Sequence, residues 1–92
     1  MTKQKFKNTI TLTNRKLIQT WTLTQELLDQ ILNDYSDDFI YSKFTNDKHY
    51  RCMVTSTEVG IIWNLNISAQ FYHVLRKFLK QQDLIYIERR ES

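Results

Sequence analysis

The chain has 92 residues, one small domain's worth, and a domain of that size buries only roughly 60–65% of the surface its unfolded form exposes, so self-association is expected. A lone cysteine, Cys52, excludes an intramolecular disulfide and a cysteine-rich zinc site, while no apolar run nears the ~18 residues of a membrane span and no signal-peptide stretch opens the chain. A cytoplasmic protein with no membrane partner is therefore expected. The net charge of +3 conceals a partition: residues 1–24 carry +5, residues 25–47 carry −5 and residues 48–92 carry +3. Basic ends around an acidic middle suit a protein that meets a polyanion with its ends.

In chain order, residues 1–24 read as basic N-terminal strands. Phe6 to Thr13 alternates, with Phe6, Asn8, Ile10 and Leu12 on one side and lysine or threonine on the other. Asn14-Arg15-Lys16 turns the chain into a second short strand, Leu17 to Leu23. Residues 25–36 form a helix, because Leu27, Leu28, Ile31, Leu32 and Tyr35 recur at helical spacing. Its cap is Thr22, with Gln25 completing a capping box, or Thr24. Residues 39–54 read as strands: Phe39 to Phe44 and His49 to Val54 are β-prone around the turn-prone Thr45-Asn46-Asp47-Lys48. Residues 68–82 form a second helix, capped by Ser68, whose apolar arc holds Phe71, Tyr72, Val74, Leu75, Phe78 and Leu79. Leu84 to Arg89 alternates again, and residues 84–90 are taken as a strand pairing with His49 to Val54.

Thr57 to Ser68 admits two readings. In one, Ile61, Ile62 and Leu65 form the inner side of a short helix, Asn66 takes the positive-φ turn position, Ile67 plugs the gap and Ser68 caps the next helix. Gly60 then sits mid-helix, where glycine costs about 1 kcal/mol relative to alanine. In the other, Ile61, Trp63, Leu65 and Ile67 alternate as a strand, and His49–Ser56 with Ile61–Ile67 makes a hairpin. The chain is then a duplicated unit, with Thr13, Trp21 and Leu23 matching Thr55, Trp63 and Leu65 at a constant offset of 42.

The helical reading makes residues 57–82 a helix-turn-helix. Through Thr57, Leu65-Asn66-Ile67-Ser68, Tyr72, Leu75, Leu79 and Leu84-Ile85 the chain resembles the winged helix-turn-helix superfamily, including MarR-type regulators and many phage and plasmid replication proteins. The resemblance runs without a gap from Thr57 to Ile85 and into Ile87-Glu88-Arg89-Arg90, over about Thr57 to Glu91. It implies an α+β fold: a small winged helix-turn-helix domain with extra N-terminal strands and a truncated wing, since only a few residues follow the first wing strand.

By that resemblance the second helix enters the major groove, and the DNA-contacting set is Ser68, Ala69, Gln70, Phe71, His73, Arg76, Lys77, Lys80, Arg89 and Arg90. Gln70 is the candidate base reader. Arg76, Lys80, Arg89 and Arg90 face phosphate. The implied function is a DNA-binding transcriptional regulator of a phage, plasmid or other mobile element, working as a homodimer through the N-terminal strands or the Leu27–Tyr35 helix. Two other functions stay open. One is a replication accessory protein for single-stranded DNA, stacking bases on Tyr41, Phe44, Tyr50, Phe71 and Tyr86. The other is a phage-type inhibitor of a host protein that uses the acidic middle. No catalytic motif, cofactor signature or small-molecule site is found, and His49, His73 and Cys52 lack metal-ligand spacing.

Overall fold

The structure, a computed structural model, describes residues 7–91, so Lys3, Lys5 and Phe6 of the expected N-terminal strand lie outside the described residues. Its elements are β1 (Asn8–Asn14), β2 (Leu17–Leu23), α1 (Gln25–Asp34), α2 (Ser36–Tyr41), a 3₁₀ turn (Ser42–Phe44), β3 (Tyr50–Ser56), β4 (Ile61–Asn66), α3 (Ala69–Gln81) and β5 (Ile85–Arg90). The five strands form one antiparallel sheet in the order β4-β3-β1-β2-β5. The helices cover one face of it, giving an α+β domain.

Alternation builds the sheet. In β1, Ile10 and Leu12 point to the helices while Thr9, Thr11 and Thr13 point away, and the register sets Ile10 beside Trp21 and Val54, and Leu12 beside Gln19 and Cys52. The β1–β2 turn needs only Arg15 and Lys16, with Arg15 at φ +56°, the left-handed conformation that tight hairpins favour. Thr24 caps α1 by accepting the Leu27 N–H at 3.1 Å, and Ser68 caps α3 by accepting the Phe71 N–H at 3.0 Å. From these helices Leu28, Ile31, Phe71, Tyr72, Leu75 and Leu79 descend onto the sheet. Each buried side chain of this size contributes about 1.5–3 kcal/mol.

The structure corrects four expectations. Residues 57–66 form no helix: Thr57–Gly60 is a turn and Ile61–Asn66 is strand β4, so no helix-turn-helix is assembled over 57–82. The reason is partnership. Pairing with β3 satisfies a row of backbone groups and sets Trp63 beside Val54 and Leu65 beside Cys52 on the helix side. Gly60 takes φ +71° in the turn, and Asn66 is extended strand.

Residues 39–44, expected as strand, are instead the end of α2 and the 3₁₀ turn. Phe39 is buried and meets the Phe71 ring edge-on at 5.1 Å, a contact that helical backbone delivers and a strand at the sheet edge would not. The expected 25–36 helix ends at Asp34, and a new helix starts at Ser36. Finally, β5 pairs with β2 rather than β3, because both edges of β3 are taken by β1 and β4. With no wing and no preceding short helix, 84–90 is the outer strand of the sheet.

The duplicated reading describes the core of the architecture. β1 begins at Asn8 and β3 at Tyr50, an offset of 42, and Thr11 pairs directly with Met53, its own counterpart at that offset. A local two-fold axis therefore passes between Thr11 and Met53, through the sheet. The second hairpin turn spans Thr57–Gly60 against Arg15–Lys16 in the first, two residues longer, so the offset is not constant: it becomes 44 beyond the turn, and of the expected matches only Thr13 with Thr55 holds, Trp21 corresponding to Leu65 and Leu23 to Ile67 instead of Trp63 and Leu65. At this later offset cap Thr24 matches cap Ser68, Leu28 matches Tyr72 and Ile31 matches Leu75.

Candidate nucleic-acid interface

The helix-free face of the sheet is assembled from alternate residues of all five strands. The register lays them in three cross-strand rungs: Ile62, Thr55, Thr9, Thr22 and Ile85; then Asn64, Met53, Thr11, Thr20 and Ile87; then Asn66, Arg51, Thr13, Ile18 and Arg89. No residue of these rungs is acidic. Arg51 and Arg89 are exposed, and the exposed turn residues Arg15 and Lys16 stand at the end of the sheet next to the arginine rung. Glu58 and Glu91 lie beyond the strand ends.

Threonine dominates the centre for a physical reason. It is β-branched, which suits the pleat, and its hydroxyl leaves an uncovered face wettable. The Thr11 and Thr20 hydroxyls hydrogen-bond across the strands at 3.0 Å. Ile62, Ile85 and Ile87, by contrast, stand 73%, 70% and 63% exposed at the two outer strands. The face is thus threonine-rich along its central strands, basic at the end near the Arg15-Lys16 turn and aliphatic along much of its two outer strands.

The residues expected to contact DNA do not form one surface. On α3, Gln70, His73, Lys77 and Lys80 share an exposed stripe. Phe71 is 4% exposed, packed against Phe39 and Tyr35, so it presents no ring to a base. The Ser68 hydroxyl is engaged as a helix cap, and Ala69 is half-buried beside it. Arg76 is turned inward, its Nε donating to Gln19 Oε1 at 2.8 Å. Arg89 and Arg90 point to opposite faces, Arg89 to the open side and Arg90 to the helix side. The α3 stripe also runs beside an acidic flank, with Asp38 sharing a cleft with Gln70, Phe71 and Val74.

The expected base-stacking set is dispersed as well. Tyr50 packs on Tyr72 at 5.1 Å, Tyr41 and Phe44 stand out from α2 and the 3₁₀ turn, and Tyr86 lies on the helix side of β5. None of these rings is on the open face.

Gln19 organises the polar contacts beneath α3. Fully buried in β2, it accepts from Arg76 and from the Tyr72 hydroxyl at 3.3 Å, and donates to the Tyr86 hydroxyl at 2.6 Å and Glu88 Oε1 at 3.4 Å. The Tyr86 hydroxyl in turn donates to Glu88. That hydrogen bond, ahead of the nearby Arg90 and Arg76 charges, holds the Glu88 carboxyl below the usual range, while burial foremost pushes the Tyr72 and Tyr86 hydroxyls up. Every member has a partner, so the cluster ties α3 to β2 and β5. Burial also pushes the Cys52 thiol up to about 12, which leaves it protonated and unreactive. Among the described residues, no group of three or more His, Cys, Asp or Glu side chains is arranged to hold a metal. No described helix is long and apolar enough to cross a membrane.

Sequence reasoning missed Arg51 and the threonine array. The signal was present in Thr9-x-Thr11-x-Thr13, Thr20-x-Thr22 and Arg51-x-Met53-x-Thr55, three period-two runs whose outward sides carry no acid. No family model, curated protein or solved structure matches the chain.

Proposed function

We propose that this protein binds duplex DNA through the open face of its sheet rather than through a helix. The observation that carries the reading is the acid-free, threonine-rich array with Arg51 and Arg89 on it and Arg15 and Lys16 beside it. Arginines neutralise phosphates and release counterions, and hydroxyl and amide groups supply further phosphate hydrogen bonds. A rigid sheet holds these donors at fixed spacing. Duplex is favoured over single strand because, among the described residues, the face offers no aromatic ring for stacking.

Fluorescence-anisotropy titration of a labelled duplex across a salt series tests the proposal. Replacing Arg51 and Arg89 together by glutamine should reduce the slope of log K against log salt by about 2, one unit for each phosphate that is no longer neutralised. Replacing Lys77 and Lys80 should leave the slope nearly unchanged. The opposite ranking would move the interface to α3, and no binding at low salt would end the nucleic-acid reading.

A second reading, binding to a host protein, is favoured by a different surface. Phe39, Ile40, Lys43, Trp63 and Leu65 line an open apolar cavity of ≈ 380 Å³, with exposed Tyr41 and Phe44 nearby and Asp37 and Asp38 on α2. An aromatic-rich cleft beside carboxylates suits a partner with an apolar anchor and basic flanks. A stoichiometric, nuclease-insensitive partner lost on Trp63→Ala would support it.

A further inference from the structure

The outermost strand β5 is built to pair with another strand. All six of its residues are exposed, including Ile85, Tyr86 and Ile87. A bare apolar edge is a liability that proteins blunt with lysine, proline, bulges or a covering helix. β5 carries charge only in its second half, Glu88-Arg89-Arg90; along Ile85-Tyr86-Ile87 it has no lysine, proline or bulge and, among the described residues, no covering helix. The other outer strand, β4, is flanked by the 3₁₀ turn and by Ile40 and Lys43 around Trp63.

The ladder fixes which groups of β5 are free. The Glu91 N–H donates to the Lys16 carbonyl at 2.8 Å, and hydrogen-bonded pairs alternate along an antiparallel ladder. Ile85, Ile87 and Arg89 therefore bond to β2. Tyr86, Glu88 and Arg90 direct their backbone N–H and C=O groups outward.

We propose that β5 pairs antiparallel with β5 of a second copy about a two-fold axis at Ile87, joining two sheets into one. In this register Ile87 faces its own counterpart, Tyr86 faces the second copy's Glu88, and Ile85 faces its Arg89. Outward N–H and C=O groups of Tyr86 and Glu88 meet in reciprocal pairs, and no like charges stand directly opposite. Neighbouring registers fail. Axes at Glu88 or Arg89 would oppose two carboxylates or two guanidiniums. An axis at Tyr86 would run Glu88 to Arg90 against Gln82 to Leu84, where the chain is leaving α3 and the Leu84 N–H already bonds Gln82.

The two-fold stands perpendicular to the sheet, so both open faces lie on the same side and their rungs run on from one copy into the next. A ladder this short buries less than a standard interface, which places the dimer in the weak, concentration-dependent class. Like the local two-fold between β1 and β3, the two-fold at β5 relates two antiparallel neighbours, so the dimer repeats the kind of pairing found at the monomer's own centre.

The pairing is tested without nucleic acid. The wild-type sedimentation coefficient should rise from monomer to dimer with concentration, whereas Ile87→Lys, which opposes two ammonium groups at the axis, should stay monomeric with an unchanged circular dichroism spectrum. Ile87→Cys should close a disulfide between copies on mild oxidation, since facing residues at a non-hydrogen-bonded site are about 4.5 Å apart at Cα, within disulfide reach. Buried Cys52 gives no background. Ile62→Cys on β4 should not cross-link. A wild-type monomer at all concentrations, unchanged association of Ile87→Lys, or cross-linking of Ile62→Cys as strong as that of Ile87→Cys would each overturn the proposal. A monomer that still binds duplex DNA removes the β5 pairing alone; a β5 dimer that binds no DNA removes the sheet-face reading alone.

Discussion

Gly60→Ala distinguishes the hairpin from the helix by the sign of its effect. Inside a helix, alanine is favoured over glycine by about 1 kcal/mol, so the substitution would stabilise the protein. Gly60 instead holds φ +71° in the Thr57–Gly60 turn. A Cβ added there meets no atom within 4 Å, so any penalty comes from the backbone alone. Placing an L side chain in the left-handed region costs about 1–2 kcal/mol. The smaller unfolded-state entropy of alanine returns about 0.4–1 kcal/mol of that. The expected net loss is about 1 kcal/mol, which in a domain of this size lowers Tm by roughly 4–8 °C. Gly60→Asn should lose less, because asparagine tolerates this region. Urea unfolding followed by tryptophan fluorescence reads the change, since Trp21 is buried and Trp63 half-shielded. An increase in stability on Gly60→Ala would refute the hairpin at 57–66 and restore the helical reading.

Three further outcomes are expected. Gln19→Leu should destabilise by about 2 kcal/mol in the same assay, because Tyr72 and Arg76 lose their buried acceptor; an unchanged midpoint would mean the network carries nothing. Tyr86→Phe should raise the Glu88 pKa toward its ordinary 4.5 in a carboxyl NMR titration, since the lost hydrogen bond is the first cause of its depression. A depressed folded pKa contributes stability above the unfolded value that is lost as pH falls through the folded one, so wild type should keep an advantage over Tyr86→Phe near neutrality that shrinks in acid. Cys52 should resist thiol reagents in the folded protein and react only on unfolding; fast labelling under native conditions would contradict its burial.

Local chemistry made some elements readable. Ser68 followed by Phe71, Tyr72, Leu75 and Leu79 can hardly be anything but a capped amphipathic helix, and the alternation of Ile10 and Leu12 with threonine marks β1. The 57–67 segment was ambiguous because Ile61, Ile62 and Leu65 fit a helix face while Ile61, Trp63 and Leu65 fit a strand face. The decision came from β3, a partner that no local pattern reveals. Phe39 to Phe44 misled for the same reason. Its aromatics favour a strand, but Phe71 and Trp63, distant in sequence, receive Phe39 from a helix. The candidate site was hidden more thoroughly. The resemblance to a helix-turn-helix points to α3, whereas the open face takes its arginines from β3 and β5, which only the strand order brings onto one sheet, with β1 and β2 between them.

The internal duplication, and the point where it breaks, explain why the two edges of the sheet differ. Around the axis between Thr11 and Met53, β2 is the counterpart of β4, and α1 of α3. After α3 the chain returns as β5 and pairs with β2. The counterpart of β5 at the later offset is the stretch from Tyr41 to Asn46, which would pair with β4 if the symmetry were complete. It does not, because Phe39 anchors α2 in the core and the Ser42 hydroxyl donates to the Phe39 carbonyl, holding the chain in a 3₁₀ turn beside β4. One edge thus gains a strand and presents its outer side; the other gains a helical flank. Two-fold pairing at β5 can therefore close a dimer, while the flank beside β4 opposes the head-to-tail contact that would extend it into a filament.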